Sequence, residues 1–158
     1  MPALPAADDR YAALGQVVET AATMEISLRM AFAALLGGPY AAVVASRQEA
    51  HWLIENCEAV ARQHAEVPQA RRDAILHALH ACRQANHDRN RLVHDAWGTG
   101  PGGAPVVIRG ARRSYEISGP AWDAGQIDAV AAAITGAQGL LLAAIEDALG
   151  PGSLIPAG

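Results

Sequence analysis

The sequence predicts an all-α fold, an antiparallel four-helix bundle with a small β-hairpin between the third and fourth helices. Three observations carry that prediction. The chain of 158 residues is 51% hydrophobic but only 4% aromatic, and much of the difference is alanine, the best helix former. Apolar residues recur every three or four positions along most of the chain. That period gives way only at "VVIRGARRSYEIS", where a β-branched run, a glycine-containing turn and a second short run suit a hairpin. The length suits one domain, placed at residues 8–149, with 150–158 as a flexible tail.

The first helix is expected to begin at Asp8 and Asp9, because the helix dipole favours anions at its start. Tyr11, Leu14, Val18, Ala21, Met24, Leu28, Phe32 and Leu35 then recur at helical spacing. "GGP" at Gly37 to Pro39 ends the helix. Glu25 and Arg29, four apart, read as a surface ion pair.

A short apolar segment, Tyr40 to Ala45, precedes the second helix. Ser46 and Glu49 form S-x-x-E, the pattern in which two side chains satisfy two free amides at a helix start. That helix is expected from Arg47 to about His64, with Trp52, Ile54, Cys57, Val60 and Ala61 buried. Pro68, which has no amide to donate, breaks it.

The third helix is expected from Gln69 to Trp97, with Gly98 as its C-cap. Ile75, Leu76, Leu79, Cys82, Ala85, Leu92, Val93 and Trp97 would face inward. "GTGPGGAP" reads as a flexible loop before the hairpin. "SGPAWD" opens the fourth helix, with Ser118 or Asp123 as cap and Pro120 near the first turn. Ile127, Val130, Ile134, Leu141 and Ile145 carry its period to Leu149.

The net charge of −4 is unevenly spread. Residues 70–113 hold eight arginines against Asp73, Asp88 and Asp95, a local balance of +5. Phosphate contact needs a local positive surface, so the acidic whole does not exclude a nucleic-acid partner. Every basic residue is arginine, whose planar fork suits phosphate. No run of about 18 uninterrupted apolar residues suggests a membrane span. The N-terminus "MPALPAADDR" lacks the basic head and apolar stretch of a secretory signal. The two cysteines, Cys57 and Cys82, make no disulfide framework. The expectation is a cytoplasmic protein without membrane contact.

The chemistry concentrates in "NHDRNRLVHDAWG", Asn86 to Gly98. His80, His87 and His94 follow one another at seven-residue spacing. Successive members lie roughly 10 Å apart along a helix axis, too far for one ion held at about 2 Å. No H-E-x-x-H, paired Cys/His spacing, P-loop, nucleophile elbow or dinucleotide fingerprint occurs. The expectation is therefore no metal and no cofactor.

What remains is Arg89-Asn90-x-x-x-His94, late in the third helix. Here the sequence resembles the HEPN superfamily (higher eukaryotes and prokaryotes nucleotide-binding domains). Its hallmark is Arg, often followed by a polar residue, then His after a gap of four to six residues, in an all-α bundle. "RNRLVH" fits that pattern. The resemblance implies a metal-independent endoribonuclease acting as a homodimer, possible as a toxin or defence effector with an antitoxin protein as partner. Two copies of the motif would meet across a two-fold axis. Cleavage through the RNA 2′-hydroxyl needs one base and one acid, and a symmetric pair of His94 side chains could supply both. Arg89 would hold the scissile phosphate. Asn90 would orient His94 or bond the phosphate, and a 2′,3′-cyclic phosphate would form. Arg91, Arg109, Arg112 and Arg113 would bind RNA phosphates nearby.

Helix geometry adds a constraint. Arg89 and His94 are five residues apart, so their directions differ by about 140°. They can flank a groove but not stack on one face. The ordinary reading of Arg89 is an ion pair with Asp88 or Asp95, or a cation near the helix C-terminus that complements the dipole. That of His94 is a favourable place at a helix C-terminus. A non-catalytic dimeric bundle that binds a nucleotide, nucleic acid or protein is the alternative function. A purely structural helical subunit is a third.

Overall fold

The first helix, α1 (Pro5–Leu36), runs unbroken for 32 residues until Gly37 and Gly38 turn the chain. Both glycines adopt positive φ, +66° and +81°, a region that residues with a Cβ rarely enter. In this computed structural model, which describes residues 5–94, 96–99, 105–111 and 114–154, four further helices follow. They are α2 (Ala41–Ala45), α3 (Ala50–Gln63), α4 (Gln69–His94) and α5 (Ala124–Leu149). Between α4 and α5 lie β1 (Ala96–Thr99), β2 (Pro105–Ala111) and β3 (Ser114–Pro120). They form one antiparallel sheet in the order β1-β2-β3.

This corrects the expected fold class. The described residues form five helices, not four, and a three-stranded sheet where a two-stranded hairpin was expected. The added strand comes from residues assigned to the end of the third helix. α4 stops at His94, and Trp97 and Gly98 pair with Val107 and Val106 in β1. Gly98 is therefore no C-cap. A Cβ built there would stand 2.6 Å from Ile108 Cδ1, so the glycine permits close approach between strands. Pro120, placed by sequence in a helical turn, ends β3 opposite Val106.

The added helix α2 displaces the expected capping box. Ser46 follows α2 and its Oγ donates back to the Val43 carbonyl at 2.8 Å. α3 starts three residues later than expected, with Glu49 as an N-cap that makes no side-chain bond. The complete capping box lies instead at α5. There the Asp123 carboxylate accepts from the Gln126 amide at 2.8 Å, and the Gln126 side chain accepts from the Asp123 amide at 3.0 Å.

One apolar core joins α1, α3, α4 and α5. Along α1 it is built from Ala13, Val17, Ala21, Met24, Leu28, Ala31, Phe32 and Leu35. Tyr11 and Val18, expected inside, are 71% and 55% exposed. The expected stripe followed the largest side chains, whereas the first turns of the inner face use Ala13 and Val17. Val93 likewise is exposed and Leu92 buried.

Three contacts fix α4 against α5 in antiparallel order. Arg71 pairs with Asp147 at 3.2 Å, the Cys82 thiol donates to the Ala137 carbonyl at 3.6 Å, and Arg91 lies over Trp122. α1 and α5 instead run in the same direction. Gln138 Nε2 donates to Ser27 Oγ at 2.9 Å, and further along both, Ala34 and Leu154 line one cavity. The bundle is thus not a simple antiparallel series. Leu154, in the segment expected to be a tail, is buried in the core, while 155–158 lie outside the described residues.

α5 is the one described helix long and apolar enough to cross a membrane by length and composition. Ile127, Val130, Ile134, Leu141 and Ile145 of this helix are buried in the bundle core.

Candidate nucleic-acid interface

The end of α4 carries the candidate site, and its turns divide the polar residues between two faces. Ala85, Arg89 and Leu92 follow at spacings of four and three, and so share a face. Ala85 and Leu92 are 3% and 1% exposed, which draws the Arg89 stem inward. Arg89 is accordingly half-buried, and its Nη1 donates to Asn90 Oδ1 at 2.9 Å. Its Nε is buried without a hydrogen-bond partner. Among the described residues, Arg89 makes no ion pair. Asp88 does not hold it, and Asp95, the other expected partner, lies outside them.

His87, Arg91 and His94 occupy the other face, at spacings of four and three. All three are exposed, and His94 is the last residue of α4. The Arg91 guanidinium carbon lies 5.9 Å from the centroid of the Trp122 ring, just before the cap of α5. The structure therefore separates the motif. Arg89 turns inward and donates to Asn90 at its flank, while His94, four residues after Asn90, stands on the exposed side beside Arg91.

Of the other expected phosphate ligands, Arg109 sits on β2 opposite Glu116. Arg112 and Arg113 lie outside the described residues. His80 is exposed one turn before Arg83. Arg83 is committed elsewhere, donating to Glu58 at 2.9 Å. Among the described residues, no three His, Cys, Asp or Glu side chains gather as a metal site would require.

Sequence reasoning missed Trp122. A single aromatic before a helix cap has no periodic signal, and its partner lies 31 positions back along the chain. The apolar frame around Arg89 was legible, since Ala85 and Leu92 were both expected inside.

A separate cavity of about 620 Å³ lies at the other end of α4, where α1, α2 and the segment after α5 meet. Met30, Ala34, Ala42 and Leu154 contribute apolar walls. Its one cation, Arg29, donates to Glu25 at 3.3 Å and to the Gln48 carbonyl at 3.1 Å. Arg29 is thus ion-paired through Nη2, and its Nε is buried without a partner.

In comparisons with known proteins, the chain matches no family model, no curated protein and no solved structure.

Proposed function

We propose that this chain is a helical binding module for single-stranded RNA, with its contact surface at the end of α4. One observation carries the reading. Arg91 and His94 stand exposed on one face of α4, and among the described residues no carboxylate pairs with Arg91. Of the eight arginines between residues 70 and 113, Arg89 and Arg91 lie at this end of α4, whereas Arg71 and Arg83 are paired with Asp147 and Glu58. Arg91 and the imidazole of His94 present N–H donors to a strand.

Catalysis is the second reading, and Arg89-Asn90-x-x-x-His94 favours it. Within one chain, Arg89 turns to Asn90 while His94 points outward, so a cleaving centre would need a second copy to bring Arg and His together. On that reading the protein is a cytoplasmic, HEPN-like homodimeric ribonuclease, with RNA as substrate and a neutralising antitoxin as a further partner.

One experiment separates the two. Labelled single-stranded RNA is titrated with the purified chain in chelator, binding is read by anisotropy over a salt series, and products are resolved on a gel. The binding reading expects salt-sensitive association that Arg91→Ala weakens, with no product formed. Metal-independent cleavage that His94→Ala abolishes would replace it with the nuclease reading. No binding and no cleavage would overturn both.

A further inference from the structure

We infer that Arg91, backed by Trp122, is a stacking platform for an unpaired nucleobase. The inference rests on the proposal that this face binds nucleic acid, and it adds how a nucleotide is seated there. Arg91 lies 5.9 Å over the Trp122 ring. Trp122 is half-buried and packs against the apolar core, so the ring has a fixed position. The indole lies on one side of the guanidinium carbon, at 5.9 Å from ring centroid to carbon, and Arg91 is exposed to solvent. No carboxylate among the described residues forms an ion pair with it.

A guanidinium held this way is planar, weakly hydrated and pre-oriented. Its free side suits the π-face of a base, and its edges still carry N–H donors for phosphate. The attraction of a cation for an aromatic ring face keeps the side chain over the indole before any strand arrives. His94 lies three residues on, about 60° around the helix and about 4.5 Å along it. His94 is therefore close enough to meet the phosphate of a nucleotide whose base covers Arg91. The platform reads a base by its flat face, so it tolerates sequence and selects single strands over duplexes.

The test uses two probes of equal phosphate count. One is a 2′-fluoro RNA hexamer, which lacks the 2′-hydroxyl needed for cleavage. The other is an abasic strand of the same length. The wild-type chain is expected to bind the base-bearing strand about tenfold more tightly, the effect of one stacked base. Arg91→Lys keeps the charge and loses the plane. It is expected to keep the salt dependence but bind the two strands within about twofold of each other. Equal binding of both strands by the wild type would overturn the platform while leaving RNA binding intact. So would an undiminished preference in Arg91→Lys. Binding of neither strand would remove the proposed function and the platform together.

Discussion

Gly98 and Ile108 meet so closely across β1 and β2 that no larger residue fits at position 98 without movement. A Cβ there would come to 2.6 Å from Ile108 Cδ1 and 3.5 Å from Cγ1. The nearer atom is the end of a flexible side chain, so the strain is local. Gly98→Ala is expected to destabilise the fold by about 1 kcal/mol, typical of mild overpacking. Ile108→Val removes Cδ1. In its presence the same Gly98→Ala change should cost under about 0.5 kcal/mol, the scale of additivity for uncoupled sites. Urea unfolding of all four proteins checks this, and strictly additive losses would contradict the packing described.

Glu58 joins two arginines of unequal value. Its Oε1 accepts from Arg83 at 2.9 Å and its Oε2 from Arg62 at 3.4 Å. The Glu58 side chain is 15% exposed and that of Arg62 is 62% exposed. Arg62→Ala is expected to change stability by under about 0.5 kcal/mol, as for other solvent-screened pairs. Glu58→Ala should cost about 1–2 kcal/mol, because it removes a short charge-assisted bond between α3 and α4. Thermal or urea unfolding should rank the two variants in that order.

Burial pushes the thiols of Cys57 and Cys82 up to about 12 from an ordinary 9.0. The folded chain therefore holds these protons more tightly than the unfolded chain does. The stability they contribute is complete below about pH 9 and is lost as pH climbs from there towards 12. Replacing both by alanine should flatten the alkaline fall in stability across that window, measured by urea midpoints at successive pH values. At pH 8 the native thiols should react with Ellman's reagent only as fast as the chain opens, since the thiolate is the reactive form. Rapid native labelling would show that the core admits the reagent.

The fourth expected helix illustrates what local pattern can deliver. Ile127, Val130, Ile134, Leu141 and Ile145 were read from spacing alone, and all five are buried. Their large side chains stand on one face, so period and burial agree. Along the first helix the same procedure misplaced Tyr11 and Val18. There small Ala13 and Val17 fill the close contact, and side-chain size misleads.

Strand β1 shows where local pattern stops. Ala96 and Trp97 continue a helical run, and nothing within that run opposes another turn. Their pairing with Ile108 and Val107 supplies hydrogen bonds from residues 10–12 positions away, which local periodicity does not register. The short helix α2 escaped for a different reason. Five residues are too few for a period to show.

By itself the sequence determined the helical segments with clear periodicity, the uneven charge that concentrates arginine between residues 70 and 113, and the spacing of Arg89, Asn90 and His94. These follow from chemistry and covalent order alone. Helix geometry already parted Arg89 from His94, but only the tertiary structure decided what each of those side chains meets. Burial of Ala85 and Leu92 turns Arg89 inward to Asn90, which leaves His87, Arg91 and His94 outside. It also decided that Trp122 backs Arg91, because the antiparallel packing of α4 and α5 brings together residues that no local pattern connects.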